Sequence, residues 1–502
     1  MKALKSLTKK DLITFAVTAV FGLIFLLIFA QWNTPLYPNC YGGDSSFFHL
    51  MGQAILKGKV MYRDYVDVKG PAFFYWEALG QLLCSGRGGV FILEIVCMLP
   101  SVLLILLLCK KYELNTLSTY IVFAAFFLSY SGIIYGGNTV EEFMMPLILL
   151  SIYMASTYIK DENYSLYFPA FFYGLTFSLC TFSKITVSVP LLSALFFLFI
   201  CLLRKKEYKK LTLCGLLFLG GFLLIALPII GYFYYAGALE EMFTWVFKYA
   251  YTRSVDAAYV TATSTYLNTT STAREIWLIP CYGGILFSLM RIKNPRATDM
   301  LLLSESFFGC VALHLGTPFY YYFITQLPVI LLLSINLAGD IQKEKHIDGL
   351  FNSWSNTLIT IALCINIIHT LHYTAMDLES YKLIFFDHAM DYVQIRDEEL
   401  KSYIPESELE DVCPLGASIE FYSINNILPT YKYINNTFYL TELDESIHQE
   451  IIDTLTNDPP KWIISEDITY IFPPSDPIVQ LIAQKYDAYV DCDVNKLYKL
   501  KE

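Results

Sequence analysis

Long apolar segments alternate with short polar ones over the first three quarters of the chain. Most of these segments reach or approach the roughly 20 apolar residues that a helix needs to cross a bilayer. The pattern therefore predicts an α-helical polytopic membrane protein with about eleven membrane-spanning helices. They lie at residues 12–30, 90–109, 117–135, 143–159, 164–182, 185–203, 211–232, 276–290, 300–315, 323–338 and 358–373.

Basic residues mark alternate connections between these segments. Lys9 and Lys10 precede the first segment, and the strongest cluster runs from Arg204 to Lys210. The turns at 136–142 and 316–322 carry no Lys or Arg. Because Lys and Arg accumulate in cytoplasmic loops, this distribution predicts a multi-pass protein of the cytoplasmic (inner) membrane. Its N-terminus would be cytoplasmic and its C-terminus extracytoplasmic.

A long polar connection at residues 31–89 follows the first predicted span, and the charge pattern places it outside. Within it, residues 72–84 are apolar but too few to span. A stretch of this length is typical of an interfacial or re-entrant helix.

The composition changes at about residue 376, beyond which the chain is polar and acidic and has no segment long enough to span. Strand-like segments at 461–464 and 488–490 alternate with predicted helices at 445–456 and 477–485, which favours a small α/β domain. We therefore divide the chain into a transmembrane domain at 1–375, which includes the external loop 31–89, and an extracytoplasmic soluble domain at 376–502. Cys413 and Cys492 lie in the second domain, and their spacing leaves a disulfide between them open.

The overall composition narrows the class of function. The 502 residues are 55% hydrophobic, with a mean hydropathy of +0.46, which excludes an ordinary soluble protein. No basic stripe or recognisable motif points to nucleic acid. Aromatic residues make up 16% of the chain, and such side chains serve interfacial belts as well as flat surfaces for lipid or sugar.

Ionisable residues cluster next to spans on the side predicted to be external. A carboxylate there could take the proton from an incoming hydroxyl, and a cation could hold a phosphate. Because charges near membrane depth are costly and usually functional, we identify residues 41–76 as the centre of a candidate active site. The alternative is a loop with solvated charges. The candidates are Asp44, His49, Arg63, Asp64, Asp67, Lys69, Glu141, Glu142 and Lys184.

The motifs around these residues resemble those of the GT-C superfamily of glycosyltransferases that use polyprenyl-phosphate sugars, and especially the bacterial aminoarabinose and protein mannosyl transferases. Asp44 follows the first span, and Lys69-Gly70-Pro71 precedes the second, with Trp76 five residues after Pro71. The turn Gly-Asn-Thr-Val-Glu-Glu at 137–142 resembles the second acidic motif of that family. Ser45 stands where the family has another acid, and Gly70 where it has a proline.

The resemblance implies an integral membrane glycosyltransferase that inverts the sugar's anomeric configuration. It would transfer a hexosyl or pentosyl group from a polyprenyl-phosphate donor, held among membrane lipids, to an acceptor in the cell envelope. The acceptor could be a lipid, a glycan or a protein. No nucleotide cofactor is expected, and a divalent metal stays possible.

The resemblance also implies roles for single residues. Asp44 would be the general base, and Lys69 would hold the donor phosphate together with Arg63 and Lys184. Glu141 and Glu142 would contact the acceptor or a metal. A surface for sugar or lipid would be formed by Trp76, Tyr320 and Tyr321.

Each role has a structural alternative. Lys69 and Lys184 could be interfacial anchors whose charges reach the headgroups. Glu141 and Glu142 could stabilise the start of the following helix, where acids are favourable, and Tyr320 could belong to an aromatic belt.

Two other functions remain as alternatives for the whole chain. A transporter or flippase for lipid-linked sugars would place ionisable residues near the middle of the membrane, often in repeated halves. Here the charges cluster at one face, and we find no internal repeat. A non-catalytic relative acting as an assembly factor is the third interpretation, against which the presence of Asp44 and Lys69 argues.

Overall fold

Every apolar segment predicted from the sequence lies on a helix. The structure is a computed structural model that describes residues 7–161, 163–255, 264–293, 296–315, 319–344, 353–416, 419–435, 437–465, 468–492 and 495–502. Within these ranges, seven helices are long and apolar enough to cross a membrane. They are Lys9–Phe29, Arg87–Lys111, Val140–Lys160, Ile185–Arg204, Tyr208–Tyr235, Tyr320–Lys343 and Trp354–Phe386.

The other predicted segments lie on helices that are shorter or more polar. These are Thr116–Ser131, Tyr167–Thr181, Ser264–Met290 and Ala297–His314. The prediction of a polytopic helical protein is therefore confirmed. The short apolar stretch at 72–84 is also helical, as Pro71–Leu83, and its proline occupies the first helical turn, where a missing N–H costs nothing.

The chain divides into two units. The first comprises 1–34, 91–231 and 260–382, and the second comprises 35–90, 232–259 and 383–502. The helix Trp354–Phe386 runs through residue 376, where the composition changes, and the second unit takes up the chain at Leu383.

Glycine sets the closest helix crossing in the first unit. A Cβ added to Gly174 would lie 1.8 Å from the carbonyl oxygen of Phe218, and one on Gly221 would lie 2.0 Å from that of Phe171. The helices Tyr167–Thr181 and Tyr208–Tyr235 therefore pack backbone against backbone. Small residues make such close approach possible, and in lipid it replaces the hydrophobic effect as a source of helix association.

An ion-pair network ties together three helices at a basic end of the first unit. Arg291 lies 2.6 Å from Asp340, and Arg296 lies 2.9 Å from Asp340 and 3.0 Å from Asp299. The Asp299 carboxylate is fully buried, so it depends on these partners to remain charged.

The second unit contains the external loop and the C-terminal residues. The loop forms the helices Gly43–Leu56 and Pro71–Leu83, which approach so closely that a Cβ on Gly52 would lie 2.8 Å from the backbone of Glu77. The remaining helical elements of this unit are Leu239–Phe243, Thr244–Tyr249, Ala250–Val255, Asp391–Ser402, Glu406–Glu408, Glu420–Asn425, Thr437–Leu443, Glu445–Asn457, Ile468–Ile471 and Pro477–Lys485.

The C-terminal residues form a four-stranded sheet in the order β1-β2-β4-β3. The strands are β1 (Val412–Pro414), β2 (Trp462–Ser465), β3 (Tyr486–Cys492) and β4 (Asn495–Leu500). β1 and β2 are parallel, whereas β4 pairs antiparallel with both β2 and β3. Cys413 lies on β1 and Cys492 on β3, the two edge strands, and no disulfide joins them.

The C-terminal residues pack directly on the loop. The Tyr65 hydroxyl donates to the Pro429 carbonyl at 2.5 Å, and the Asn39 side chain donates to Asp391 at 2.8 Å. Because Tyr65 is almost fully buried, its hydroxyl needs such a partner. The loop and the α/β region therefore share one core.

Candidate active site

Asp44 occupies the first turn of the helix Gly43–Leu56. The N-cap residue, Gly42, has no side chain to accept from the free amides of this turn. Those amides and the helix dipole stabilise negative charge at this position. The Asp44 carboxylate is half-buried and makes no side-chain hydrogen bond or ion pair with any residue that the structure describes. It is therefore a carboxylate left available for a ligand.

A second carboxylate, which sequence reasoning missed, reaches the start of this helix. The Glu420 Oε1 lies 3.5 Å from the position that a Cβ on Gly43 would take. Glu420 belongs to the helix Glu420–Asn425 of the C-terminal region, which packs on the Asp44 helix. No local motif marks Glu420, and only the tertiary fold brings it to the loop.

Lys69 is held in place by its surroundings. Its ammonium lies 3.6 Å from Asp67 and 4.5 Å from the centre of the Phe48 ring, and its side chain is only 13% exposed. The Tyr62 hydroxyl donates to the Lys69 carbonyl at 2.8 Å. This burial and these contacts favour a fixed cation within the protein over an anchor in the headgroup region.

Lys69 contacts the same helix that carries Asp44. Phe48, which the ammonium covers, follows Asp44 by four residues on the same helix. Residues at this spacing share one helix face, with Cβ atoms about 5–6 Å apart. The Lys69 charge therefore lies over the helix face that bears Asp44.

The neighbouring charged residues of the loop are paired with each other. Arg63 binds Asp64 through two parallel contacts, Nε to Oδ1 at 2.9 Å and Nη2 to Oδ2 at 3.1 Å. Arg63 is about half exposed, and its guanidinium is already paired with a carboxylate at the surface. Trp76 is half-buried on the helix Pro71–Leu83, seven residues beyond Lys69.

His49 belongs to the core of this unit. Its side chain is 1% exposed, and burial, together with the charge of Arg87, lowers its pKa to about 3. The imidazole is therefore neutral near pH 7, which favours a structural role.

A second group of candidates lies in the first unit, at the start of the helix Val140–Lys160. Glu141 and Glu142 occupy its first turn, and the Thr139 hydroxyl caps it by accepting from the Glu142 amide. Glu141 is 1% exposed and forms a 2.5 Å ion pair with Lys184, which is 12% exposed. The structure thus brings two predicted site residues together as a buried pair.

Aromatic rings enclose this ion pair. The Lys184 ammonium lies 3.3 Å from the centre of the Tyr322 ring and 5.0 Å from that of Tyr321. Tyr320 begins the same 3₁₀ segment, Tyr320–Gln326, and contacts Tyr373 with ring centres 5.2 Å apart. Rings of this kind attract a cation through their faces, and they also offer flat apolar surfaces to a sugar.

Glu94 is a buried acid within a span that sequence reasoning missed. Its Oε1 accepts from the Asn33 side chain and from the Asn138 amide, each at 2.8 Å. Gly137 has φ +87°, and a Cβ there would lie 2.5 Å from the Glu94 carboxylate. Glu94 therefore fixes the turn that leads to Glu141. Its isolation in an otherwise apolar segment was the signal that could have identified it.

No group of three or more His, Cys, Asp and Glu side chains within the described ranges is arranged to hold a metal ion. Glu142 is buried as well.

One solved structure with a similar fold is ArnT from Cupriavidus metallidurans, crystallised in the apo state. It matches with a TM-score of 0.57 over 97% of this chain and 97% of that chain, at 10% sequence identity. The match confirms the fold that the sequence predicts, a polytopic helical protein with a small C-terminal domain. No protein-family model matches the chain, and neither does any curated protein.

Proposed function

We propose that this protein is an integral membrane glycosyltransferase of the GT-C type, which moves a sugar from a polyprenyl-phosphate donor to an acceptor in the cell envelope. The observation that carries the proposal is the half-buried carboxylate of Asp44 at a helix N-terminus, which no described side chain pairs with and which lies on the helix face covered by Lys69. The ArnT-like fold of the whole chain supports the reaction class.

Asp44 acts as the general base in this proposal. An acceptor hydroxyl becomes a good nucleophile only as its proton leaves, and a carboxylate within hydrogen-bond reach takes that proton. Among the loop acids, Asp64 is paired with Arg63 and Asp67 lies beside Lys69. No described residue places a cation beside Asp44, so its lone pairs remain open to an incoming hydroxyl.

Lys69 stabilises the leaving group. As the acceptor oxygen bonds to the anomeric carbon, the bond from that carbon to the phosphate oxygen breaks, and negative charge grows on the polyprenyl phosphate. A fixed cation placed where charge develops lowers the barrier. Attack from the face opposite the leaving group inverts the anomeric configuration. Arg63 is already bound to Asp64, so it would contact the donor phosphate only by releasing Asp64.

The Glu141–Lys184 pair and its tyrosines would bind the acceptor or the donor sugar. Their burial and the adjacent rings of Tyr321 and Tyr322 suit a polar molecule with flat apolar faces. In this role, Lys184 contacts the donor phosphate only if Glu141 releases it.

A transfer assay in envelope vesicles tests the reaction class. Vesicles from cells lacking the protein, carrying radiolabelled lipid-linked sugars, receive either purified full-length protein or its Asp44→Asn variant. We expect label to leave the polyprenyl-phosphate fraction for a new acceptor only with the unchanged protein. If label remains on the polyprenyl phosphate with both proteins, the proposal is wrong.

A lipid-linked-sugar flippase is the second candidate, because a further buried acid besides Glu94 lies within a helix of the first unit. Glu305 is 2% exposed on the helix Ala297–His314 and accepts a hydrogen bond from Ser193. Buried intramembrane acids are common in transporters. The same vesicles distinguish the two functions, since a flippase moves the labelled lipid across the membrane without changing the sugar's carrier.

A further inference from the structure

An apolar cavity of about 520 Å³ lies in the first unit, and none of its lining residues belongs to the candidate active site. It is lined by the helices Tyr167–Thr181, Val189–Arg204 and Tyr208–Tyr235, with Phe308 from a fourth helix. Its volume falls within the range of about 300–1,000 Å³ that small-molecule sites span. A space of this size is large enough to hold a ligand.

The lining gives a polar ligand almost nothing to bind. No lining side chain carries a polar atom except Tyr173 and Cys214. The Tyr173 hydroxyl already donates to the Ser151 carbonyl at 2.5 Å, and the Cys214 thiol lies 3.9 Å from the Leu166 carbonyl. Because apolar cavities exclude water, the occupant that suits this lining is a hydrocarbon chain.

A basic cluster stands at one end of the cavity. The lining residues Leu202 and Leu211 lie on either side of the turn that joins two helices of the cavity wall. This turn and the helix ends beside it contain the basic cluster Arg204–Lys210. Lys205 lies over the Tyr158 ring, and Lys210 pairs with Glu207 at 3.0 Å.

Three members of this cluster remain available for an anion. Arg204, Lys206 and Lys209 are exposed and make no ion pair with any described residue. Basic pockets between membrane helices bind anionic lipid headgroups, and they are most common on the cytoplasmic side, where the charge pattern predicts this turn.

We propose that an anionic glycerophospholipid of the bilayer binds at this site. One acyl chain fills the cavity, while the headgroup phosphate lies against Arg204, Lys206 and Lys209. The site is independent of the proposed glycosyl transfer, because none of its residues belongs to the candidate active site.

Two glycines on one helix provide a matched pair of variants. Gly215 lines the cavity, and a Cβ added there would meet nothing within 4 Å. Gly220 has equally open surroundings but does not line the cavity. Gly215→Leu therefore fills the site without a clash, while Gly220→Leu makes the same chemical change elsewhere.

The test measures phosphatidylglycerol bound to the purified full-length protein by native mass spectrometry, after exchange into phosphatidylcholine nanodiscs with graded phosphatidylglycerol. We expect the unchanged protein and Gly220→Leu to retain phosphatidylglycerol, and Gly215→Leu to lose it. The triple variant Arg204→Gln, Lys206→Gln, Lys209→Gln should bind about 10²-fold more weakly, at roughly fivefold for each charge removed. The double variant Lys9→Gln, Lys10→Gln, which removes exposed charges elsewhere, should bind like the unchanged protein.

Several outcomes would overturn the proposal. They are retention by Gly215→Leu, unchanged affinity of the triple variant, equal retention of phosphatidylcholine, and polyprenyl phosphate found in place of the phospholipid. If Gly215→Leu fails to fold, Gly215→Val fills less of the cavity and should show a partial loss of bound lipid.

Discussion

At the scale of single residues, the candidate site is defined by which charges are already paired. Asp64, Asp67 and Glu141 each lie beside a cation. Asp44 lies beside none in the described part of the chain. A carboxylate that has to accept a proton during turnover benefits from this freedom, because a close cation would hold it in the ionised form.

Replacing Asp44 by Asn keeps the size of the side chain but removes the base. Loss of a general base typically lowers turnover by about 10²–10⁴-fold, and we expect a decrease of this order with normal membrane insertion. The measurement is the initial rate of sugar transfer in the vesicle assay. Glu420→Gln, which changes the other carboxylate at this helix start, is the matched control and should retain most activity. If Glu420→Gln is inactive while Asp44→Asn is active, the general base belongs to the C-terminal region and is not Asp44.

Lys69 offers a test of phosphate binding that separates charge from shape. Lys69→Ala removes the cation, whereas Lys69→Arg keeps it with a different geometry. A hydrogen bond to a charged group contributes about 1.5–3 kcal/mol, so we expect Lys69→Ala to lower kcat/KM by roughly 10–100-fold. Lys69→Arg should lose less. If the unchanged protein and Lys69→Ala bind polyprenyl phosphate with equal affinity and react at equal rates, Lys69 has only a structural role.

Sequence reasoning identified Asp44 and Lys69 because both interrupt a pattern: a charge just after a span, and a Lys-Gly-Pro before a helix. The ion pair between Glu141 and Lys184 could not be predicted, since 43 residues and a whole helical hairpin separate the partners. Glu420 is still more remote from Asp44 along the chain, and a single sequence contains no signal for such a contact.

At the scale of elements, close glycine contacts determine how helices meet. Gly220 and Gly221 are adjacent on the helix Tyr208–Tyr235, yet only Gly221 faces a neighbouring backbone. The apolar pattern predicts this helix but does not say which of the two glycines is at the crossing.

The adjacent glycines predict opposite effects of one substitution. Gly221→Ala forces a methyl group against the Phe171 carbonyl, and overpacking of this kind costs about 1–3 kcal/mol. Gly220→Ala meets open space and should stabilise the helix by about 0.5–1 kcal/mol through backbone entropy. Thermal unfolding of both purified variants in the same detergent measures the difference. Equal midpoints would mean that the two helices do not cross at Gly221.

At the scale of the whole molecule, the hydropathy pattern predicted the helical architecture. The spans and the small α/β region can be predicted from the local periodicity of apolar residues, which does not depend on tertiary contacts. The grouping of residues 35–90 with residues 383–502 in one unit could not be predicted, because it depends on buried contacts such as Tyr65 with Pro429.

The topology is itself a prediction. Reporter fusions after Lys206 and Lys345 should report the cytoplasm, and a fusion after Glu502 should report the outside, because Lys and Arg accumulate in cytoplasmic loops. Lys345 lies outside the described residues. The loop with Asp44 and the C-terminal residues share a core, so they have to share a side. A cytoplasmic C-terminus would therefore contradict an external active site.

The most direct test of glycosyl transfer is the lipid composition of cells that lack the protein. If it consumes a polyprenyl-phosphate sugar, that lipid should accumulate in its absence, and the sugar on the accumulated lipid identifies the donor. Expressing the unchanged protein should clear the lipid, and expressing Asp44→Asn should not. Mass spectrometry of total lipid extracts from the three strains makes the comparison. If no polyprenyl-phosphate sugar accumulates, or if Asp44→Asn clears it as well as the unchanged protein does, the proposed transfer with Asp44 as base is contradicted.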